Sequence, residues 1–147
     1  MNPLWLSHFT ATSSIGRGLT QTLDALRQGR AGLAPCACDT VELTTFIGEV
    51  AGVDEITLPA HLSEFDCRNN RLALLVLLQD GFAEAVHAAI EKYGTRRIGI
   101  FLGTSTSGIL QTELAYRRRD PETGAFPADF IYGTTHNTFS VADFTRH

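Results

Sequence analysis

The sequence lacks the features that mark membrane, secreted and nucleic-acid-binding proteins. No uninterrupted apolar run reaches the roughly 18 residues that a membrane span needs. The first eight residues contain neither the basic segment nor the long apolar segment of a signal peptide. Lysine and arginine together number 12 against 16 acidic residues, so the net charge of −4 gives no reason to expect nucleic acid or an anionic membrane as partner. Three cysteines without a framework spacing suit a reducing cytoplasm.

What is present is the composition of one folded domain. The 147 residues are 44% apolar and 19% charged, which predicts a globular protein with a real core and argues against disorder. No internal repeat or low-complexity tract interrupts the chain. The alternation of short apolar runs with helical periods predicts an α/β fold of β-α-β units, with a mixed or parallel sheet covered by helices.

One stretch organises this prediction. Ile98–Leu102 is a short continuous apolar run, which is typical of a central parallel strand covered on both faces. Gly103 and Gly108 then bracket four small hydroxyl residues, and a helical period begins at Ile109. Because α/β sheets usually bind their ligands at loops that follow a central strand and open a helix, this loop is predicted to line a ligand pocket.

The same loop has two other interpretations. It lacks the lysine of a phosphate-binding loop and the third glycine of a dinucleotide fingerprint, so a nucleotide site is poorly supported. The structural alternative is a tight turn between strand and helix. The interpretation favoured here is that Thr104 and Thr106 line a pocket.

Further segments predict the elements around this strand. Leu4–Phe9 is predicted as the first strand and Phe46–Val50 as an edge strand. Between them, three leucines at positions i, i+4 and i+7 predict a helix, and Gly29 and Gly32 are its expected stop signals. Residues 53–63 are predicted to form a loop.

The longest periodic segment is Arg68–Tyr93, which predicts one long helix. Asp66 is the expected N-cap, and Gly94 is the expected left-handed residue at the end of the helix. Gly81, inside the segment, is unfavourable for a helix and indicates close packing at that point.

The carboxyl part predicts two more helices joined by an aromatic-rich loop. The first covers residues 111–119, and the last is capped by Asn137 or Thr138. The last helix has no stop signal, and the predicted sheet has only about three strands, fewer than parallel sheets usually contain. We therefore expect the sequence to be the first part of a domain.

The cysteines allow two functional interpretations. Cys67 directly precedes the long predicted helix, where the helix dipole would lower the thiol pKa and favour a nucleophile; a structural cysteine is the alternative. Cys36 and Cys38, together with Cys67 and His61, supply zinc-type ligands. Their spacing matches no familiar zinc framework, so no metal site is predicted.

Two polar clusters remain. His136 and Asn137 lie beside three threonines, and helix capping or a pocket explains their presence. Arg117–Arg119 ends a predicted helix, where its charge suits the dipole; it is either a solvated face or a docking surface for an acidic partner. The sequence alone reveals no catalytic dyad or triad.

Several motifs, taken in order, resemble one family. Thr12–Gly16 reads TSSIG, Leu26–Leu33 reads LRQGRAGL, Asn69–Leu74 reads NNRLAL, and Arg97–Thr104 reads RIGIFLGT. In this order they resemble the amino-terminal opening of the β-ketoacyl-acyl-carrier-protein synthases, over essentially all 147 residues. Asn137–Ser140, which reads NTFS, is similar to the branch that makes aryl-polyene-type pigments.

The resemblance implies a thiolase-like fold and usually a dimer. These enzymes condense an acyl group, held on a cysteine, with malonyl on acyl carrier protein and release carbon dioxide, with two histidines assisting. Their cysteine lies in an Ala-Cys-Ser/Ala-Ser run, which Cys36, Cys38 and Cys67 do not match. The resemblance therefore implies that residues 1–147 precede the nucleophile and carry no catalytic residue and no cofactor.

The resemblance also implies a set of substrate-binding residues. Thr106 matches the loop position that walls the acyl pocket, with Gly103 and Thr104 beside it. The segment Phe130–Phe139 matches a stretch at the dimer interface that lines the partner's acyl tunnel. The substrate-binding residues expected from the two stretches are Gly103, Thr104, Thr106, Phe130, Asn137 and Phe139.

The sequence is thus expected to be the amino-terminal part of a cytoplasmic β-ketoacyl-acyl-carrier-protein synthase of fatty acid, polyketide or aryl polyene synthesis, inactive alone. Its expected partners are acyl carrier protein and a second synthase-like subunit, in a homodimer or heterodimer. One alternative is a catalytically silent partner subunit of the chain-length-factor type. The other is a self-contained α/β module that binds a ligand at Gly103–Gly108.

Overall fold

Helices make up most of the regular structure. The computed structural model describes residues 3–37 and 42–147. The helices are α1 (Gly18–Arg27), α2 (Arg68–Leu77), α3 (Phe82–Tyr93), α4 (Ile109–Arg117), α5 (Tyr132–Thr135) and α6 (Ser140–Arg146), with 3-10 helices at Ala60–Phe65 and Thr95–Arg97. The strands are β1 (Thr12–Ser13), β2 (Gly16–Arg17), β3 (Ala34–Pro35) and β4 (Phe46–Ile47).

The strands form two small antiparallel sheets, so the chain is a mixed α/β protein. Strand β1 pairs with β2, with Thr12 opposite Arg17, and β3 pairs with β4, with Ala34 opposite Ile47. The predicted edge strand at Phe46 is confirmed, although it is shorter than expected. Two antiparallel pairs of two residues each need no crossover helix, unlike the parallel β-α-β sheet that the sequence predicted.

Two predicted strands are absent from the structure. Neither Leu4–Phe9 nor Ile98–Leu102 forms a strand, and Phe101 is 97% exposed. Within the described residues, the backbone groups of residues 99–103 have no hydrogen-bond partner. An apolar run becomes a strand only where a neighbouring strand satisfies its backbone, and here none lies alongside.

The predicted long helix is two helices. Helix α2 ends at Leu77 and α3 begins at Phe82. Between them Asp80 and Gly81 have φ of 55° and 70°, in the left-handed region that ends a helix. A Cβ on Gly81 would meet only a Glu84 carboxylate oxygen at 4.0 Å, so Gly81 provides a turn and not the close packing that was predicted.

The predicted ends of this segment are partly right. Helix α3 ends directly before Gly94, as expected, but Gly94 has φ 84° and ψ 147°, which is not the left-handed helical conformation. Asp66 does not cap α2, because Cys67 stands directly before its first residue and the Cys67 sulfur accepts hydrogen bonds from backbone N–H groups of the first turn. Asp66 instead binds the Arg71 guanidinium through two bonds of 2.5 and 2.7 Å.

The chain divides into two compact units. The first consists of the described residues up to Gly52 together with Val76–Lys92, and the second of Val53–Leu75 together with Tyr93–His147. Helix α1 of the first unit buries Ala25 completely and ends at Arg27, just before the predicted stop signal Gly29, which has φ 61°. The N–H of Arg30 then bonds the Ala25 carbonyl at 2.9 Å and closes the last turn.

A distant carboxylate caps the start of α1. Both oxygens of Asp80 accept a hydrogen bond from the N–H of Leu19, at 3.1 and 3.0 Å, and one also accepts from the Thr10 hydroxyl at 2.6 Å. Gly18 has φ 77°, and a Cβ there would lie 3.0 Å from the same carboxylate. The negative charge therefore sits at the positive end of the helix dipole, in a space that only glycine leaves open.

The second unit has a small apolar core. Leu58, Leu62, Phe65 and Phe144 form a buried cluster, and the Phe65 and Phe144 rings lie 6.0 Å apart. Two of these residues belong to the 3-10 helix Ala60–Phe65, which falls partly in the stretch predicted as a loop. Helices α4 and α6 are confirmed near their predicted positions.

No single helix in the described ranges, residues 3–37 and 42–147, is long and apolar enough to cross a membrane. One bent pair, α2 with α3, passes the same test by length and composition alone.

Replacement of Asp80 by alanine is expected to destabilise the first unit. The change removes the cap of α1 and leaves a residue without local hydrogen bonding in a left-handed conformation, so the free energy of unfolding should fall by about 1–2 kcal/mol. Urea denaturation followed by circular dichroism measures this change. Asp24→Ala, on an exposed face of α1, is the control; equal losses in the two variants would contradict the role of Asp80.

Candidate functional site

The loop Gly103–Gly108 is attached to the segment before α6 through Ser107. Ser107 is only 7% exposed, and its hydroxyl donates a hydrogen bond to the carbonyl of Asn137 at 3.0 Å. The hydroxyl oxygen of Ser140, a residue that is 2% exposed, lies 3.4 Å from the hydroxyl oxygen of Ser107. The N–H of Ser107 bonds the Thr104 hydroxyl at 3.3 Å and closes the loop on itself.

The next residue makes a second attachment by close approach. A Cβ on Gly108 would lie 1.8 Å from the carbonyl oxygen of Thr135, a distance at which no side chain fits. By contrast, a Cβ on Gly103, at the other end of the loop, would meet nothing within 4 Å. Of the two glycines that bracket the predicted loop, Gly108 is therefore the one that the packing requires.

The segment from Thr134 onwards is also held from its other side. Asn70 is completely buried, and its amide donates to the carbonyl of Phe65 at 2.8 Å and to that of Thr134 at 3.3 Å. The hydroxyl of Thr134 donates to the carbonyl of Glu64 at 2.6 Å. Residues 134–140 are thus fixed between the start of α2 and the loop that precedes α4.

His136 ties α4 to the end of α5. Its Nδ1 atom hydrogen-bonds the Thr112 hydroxyl, and its ring stacks on Tyr132 with centroids 5.2 Å apart. The backbone N–H of His136 bonds the carbonyl of Tyr132 at 3.0 Å. These contacts give the His136 side chain a packing role, which is neither the helix cap nor the pocket role that the sequence predicted.

Asn137 is the residue that orders the start of α6. Its side-chain oxygen accepts the N–H of Phe139 at 3.0 Å, and its carbonyl accepts the N–H of Ser140 at 2.8 Å. The predicted cap at Asn137 or Thr138 is therefore wrong, because Phe139 occupies the N-cap position without a side-chain cap, and Asn137 instead forms a turn that leads into the helix.

The six predicted substrate-binding residues separate into two groups. Asn137 and Phe139 line an open cleft of about 480 Å³, together with Ile98, Ile100 and Arg146. Gly103, Thr104 and Thr106 are exposed and lie outside the cleft lining. Phe130 also lies outside it and packs on Phe126, with ring centroids 5.5 Å apart.

Cys67 does not have the environment of a nucleophile. Its side chain is 1% exposed, and burial is the largest cause that raises the pKa of the thiol, although hydrogen bonds from the N–H groups of Asn70 and Asn69 act in the opposite direction. The lowered pKa that the helix start predicted is therefore wrong, because desolvation of the thiolate outweighs the helix terminus. Cys67 fits the structural alternative.

The metal hypothesis gains no support from the structure. Cys36 is half-buried, and Cys38 lies outside the described residues. Across residues 3–37 and 42–147, no group of three or more His, Cys, Asp or Glu side chains is arranged to hold a metal ion.

The arginines at the end of α4 interact with their own unit. Arg118 bonds Asp129 at 2.8 Å, and this hydrogen bond is the main cause that lowers the pKa of Asp129. The Arg119 guanidinium lies over the Tyr116 ring, 5.9 Å from its centroid. These contacts favour a solvated helix end, because both side chains are already engaged.

Sequence reasoning missed the residues that assemble this site. Asn70, Ser107 and Thr112 each make a bond across more than 20 residues of sequence. A single asparagine, serine or threonine gives no pattern that distinguishes such a bond from a local cap or turn. The one available signal was Gly108, since a loop glycine often marks a close backbone approach.

Known proteins offer no template for this arrangement. No protein-family model, no curated protein and no solved structure significantly matches the chain. Function is therefore inferred from the motifs of the sequence and the geometry of the site.

Replacement of Gly108 by alanine should destabilise the second unit. The new methyl group would overlap the Thr135 carbonyl, so the free energy of unfolding is expected to fall by about 2–3 kcal/mol. Thermal and urea unfolding measure the loss. Gly103→Ala is the matched control and should leave stability unchanged, because its methyl group would meet open space; the same tolerance at both glycines would contradict the close approach.

Cys67 is expected to react slowly with iodoacetamide in the folded chain. A buried thiol with a raised pKa presents little thiolate, so the rate should be about a hundredfold or more below that of the chain in 8 M urea. The measurement is mass spectrometry of a Cys36→Ser, Cys38→Ser variant, which leaves Cys67 as the only cysteine. Equal rates in the two conditions would show that the thiol is accessible and reactive.

Proposed function

We propose that residues 1–147 are the amino-terminal part of a β-ketoacyl-acyl-carrier-protein synthase with a thiolase-like fold. The parent protein would join an acyl thioester to malonyl on acyl carrier protein, with loss of carbon dioxide, in cytoplasmic fatty acid, polyketide or aryl polyene synthesis. The order of four sequence motifs supports this proposal, from Thr12–Gly16 to Arg97–Thr104.

One structural observation carries the proposal. The loop Gly103–Gly108 lies against residues 135–140 through the bond from Ser107 to the Asn137 carbonyl and the approach of Gly108 to Thr135. The resemblance assigns the first of these stretches to the wall of the acyl pocket and the second to the dimer interface, where it lines the partner's acyl tunnel.

The apolar run Ile98–Leu102 also supports the proposal. Within the described residues its central backbone groups have no hydrogen-bond partner, and Phe101 is 97% exposed. A run of this composition is stable in water when strands on either side pair with it and helices cover it. The proposed thiolase-like sheet would supply those neighbours.

In this proposal the chain contributes a pocket and a surface, but no chemistry of its own. Cys67 is buried with a raised thiol pKa, and His136 is held by Thr112 and Tyr132. Neither has the exposed, activated environment of a nucleophile or a catalytic base. The acyl-bearing cysteine and the two histidines would belong to other parts of the parent protein. Thr106 would contact the acyl chain, and Phe139 would line the acyl tunnel of the partner subunit.

A condensation assay tests this proposal. The longest polypeptide encoded in the reading frame of residues 1–147 is incubated with acyl carrier protein that bears an acyl group and with labelled malonyl-acyl carrier protein. We expect a 3-oxoacyl product and one carbon dioxide per product. Malonyl decarboxylation without condensation, or neither reaction, would contradict an active synthase; condensation only after addition of a second synthase subunit would identify the silent partner.

Thr106→Trp should narrow the acyl pocket in the same assay. An indole on the pocket wall is expected to lower kcat/KM for long acyl groups by about tenfold or more relative to short ones, because each excluded methylene loses favourable burial. Thr20→Trp places the same side chain on an exposed position of α1 and should leave the ratio unchanged. An equal change for all chain lengths would remove Thr106 from the pocket.

A small-molecule binding module is the second candidate, and the cleft beside Asn137 and Phe139 favours it. Its volume of about 480 Å³ falls within the range of small-ligand sites, and its lining combines apolar with polar side chains. In this case the 147-residue chain would bind its ligand with unchanged affinity after Thr106→Trp, since Thr106 is not part of the cleft.

A further inference from the structure

The cleft of the second unit has an apolar wall and a charged end. Its lining includes Ile98 and Ile100 from the segment before α4, and one face of α6 with its N-cap. On that face Phe139, Asp143 and Arg146 stand at positions i, i+4 and i+7, a spacing that places side chains in one stripe along a helix. The stripe leads from an aromatic ring to an ion pair.

The charged end holds two opposite charges side by side. Arg146 donates a hydrogen bond from Nη2 to the Oδ1 atom of Asp143 at 2.9 Å, and the two side chains are 66% and 50% exposed. Within the part of the chain that the structure describes, the other Asp143 oxygen and the other two Arg146 nitrogens make no hydrogen bond. One acceptor and several N–H donors are therefore available to a ligand.

The rest of the cleft offers apolar surface. Phe139 is 76% exposed, Ile100 is 40% exposed and Ile98 is half-buried. With a rise of about 1.5 Å per residue, Phe139 and Arg146 lie about 10 Å apart along the helix axis. The cleft, at about 480 Å³, therefore has room for a large apolar group beside the ion pair.

The ion pair discriminates between charged ligands. A carboxylate alone is attracted by Arg146 but repelled by Asp143, and an ammonium group alone meets the reverse. A zwitterion whose two charges are neighbours can place its carboxylate on Arg146 and its ammonium group on Asp143, so that each charge meets its opposite. Free α-amino acids have this arrangement of charges.

We propose that the cleft binds a free α-amino acid with a large apolar side chain. The ligand carboxylate accepts hydrogen bonds from Arg146, the ligand ammonium group donates to Asp143, and the ligand side chain lies against Ile98, Ile100 and Phe139. This inference rests on the second candidate function, because it names the ligand class of the same cleft. It does not require synthase activity.

Titration of the 147-residue chain with L-phenylalanine, followed by the amide signals in two-dimensional NMR, tests the proposal. We expect shifts centred on residues 98–100 and 137–146 and a Kd of about 1 mM or below. Glycine has the same charges but no side chain, so it should bind at least about tenfold more weakly. 3-Phenylpropionate and phenethylamine each lack one charge and should bind about threefold or more weakly.

Two substitutions test the charges separately. Asp143→Asn should abolish the advantage of L-phenylalanine over 3-phenylpropionate, because the ammonium group loses its partner. Arg146→Gln should abolish its advantage over phenethylamine, because the carboxylate loses its partner. Asp129→Asn and Arg118→Gln are the matched controls, since they break an exposed ion pair outside the cleft lining, and they should leave all affinities unchanged.

The outcomes separate this inference from the proposed functions. If 3-phenylpropionate binds as tightly as L-phenylalanine, the amino-acid assignment is overturned, whereas a small-molecule module remains supported. Shifts confined to residues outside 98–100 and 137–146, or no shift with any of the four probes, would overturn the inference and remove the support of the cleft for the second candidate. The condensation assay decides the synthase proposal independently of these titrations.

Discussion

The close approach of Gly108 to the Thr135 carbonyl is the constraint on which the site of the second unit depends. A Cβ at this position would lie 1.8 Å from that oxygen, so the loop before α4 and the segment before α6 can meet only at a glycine. Ser107 then places its hydroxyl on the Asn137 carbonyl, and Asn70 holds the same segment from the other side. The geometry of the site therefore depends on Gly108, which has no side chain, and on the buried polar side chains of Ser107 and Asn70.

The first unit uses the same principle at a different place. Gly18 leaves room for the Asp80 carboxylate, which accepts the N–H of Leu19 and caps α1. In both units a glycine leaves room for a polar group from a distant part of the sequence. This group is the Asp80 carboxylate at Gly18 in the first unit and the Thr135 carbonyl at Gly108 in the second. Strand pairing contributes little by comparison, since each of the two sheets consists of two-residue strands.

The sequence predicted the elements whose signals are local. Helix α1 with its stop signal at Gly29, and helices α4 and α6, have a periodicity that depends on residues a few positions apart. Ile98–Leu102 was predicted wrongly as a strand, because apolar composition indicates a buried strand only when partners exist to satisfy its backbone. The prediction of one long helix is wrong at Asp80. This residue has a left-handed conformation and accepts a hydrogen bond from the N–H of Leu19 in α1, 61 residues away. The roles of Ser107 and Asn70 could not be predicted for the same reason, since both residues bond groups that are distant in sequence.

Both units are discontinuous in the chain, and this has a consequence for the order of folding during synthesis. The first unit takes its last helix from Val76–Lys92, and the second is completed by Tyr93–His147. When α1 leaves the ribosome its N-terminus is uncapped, and it stays so until Asp80 emerges. The intervening segment includes Asn70, which itself waits for Thr134. The first unit can therefore complete its fold only after residues 76–92 have emerged, and the second only after residues 93–147 have followed.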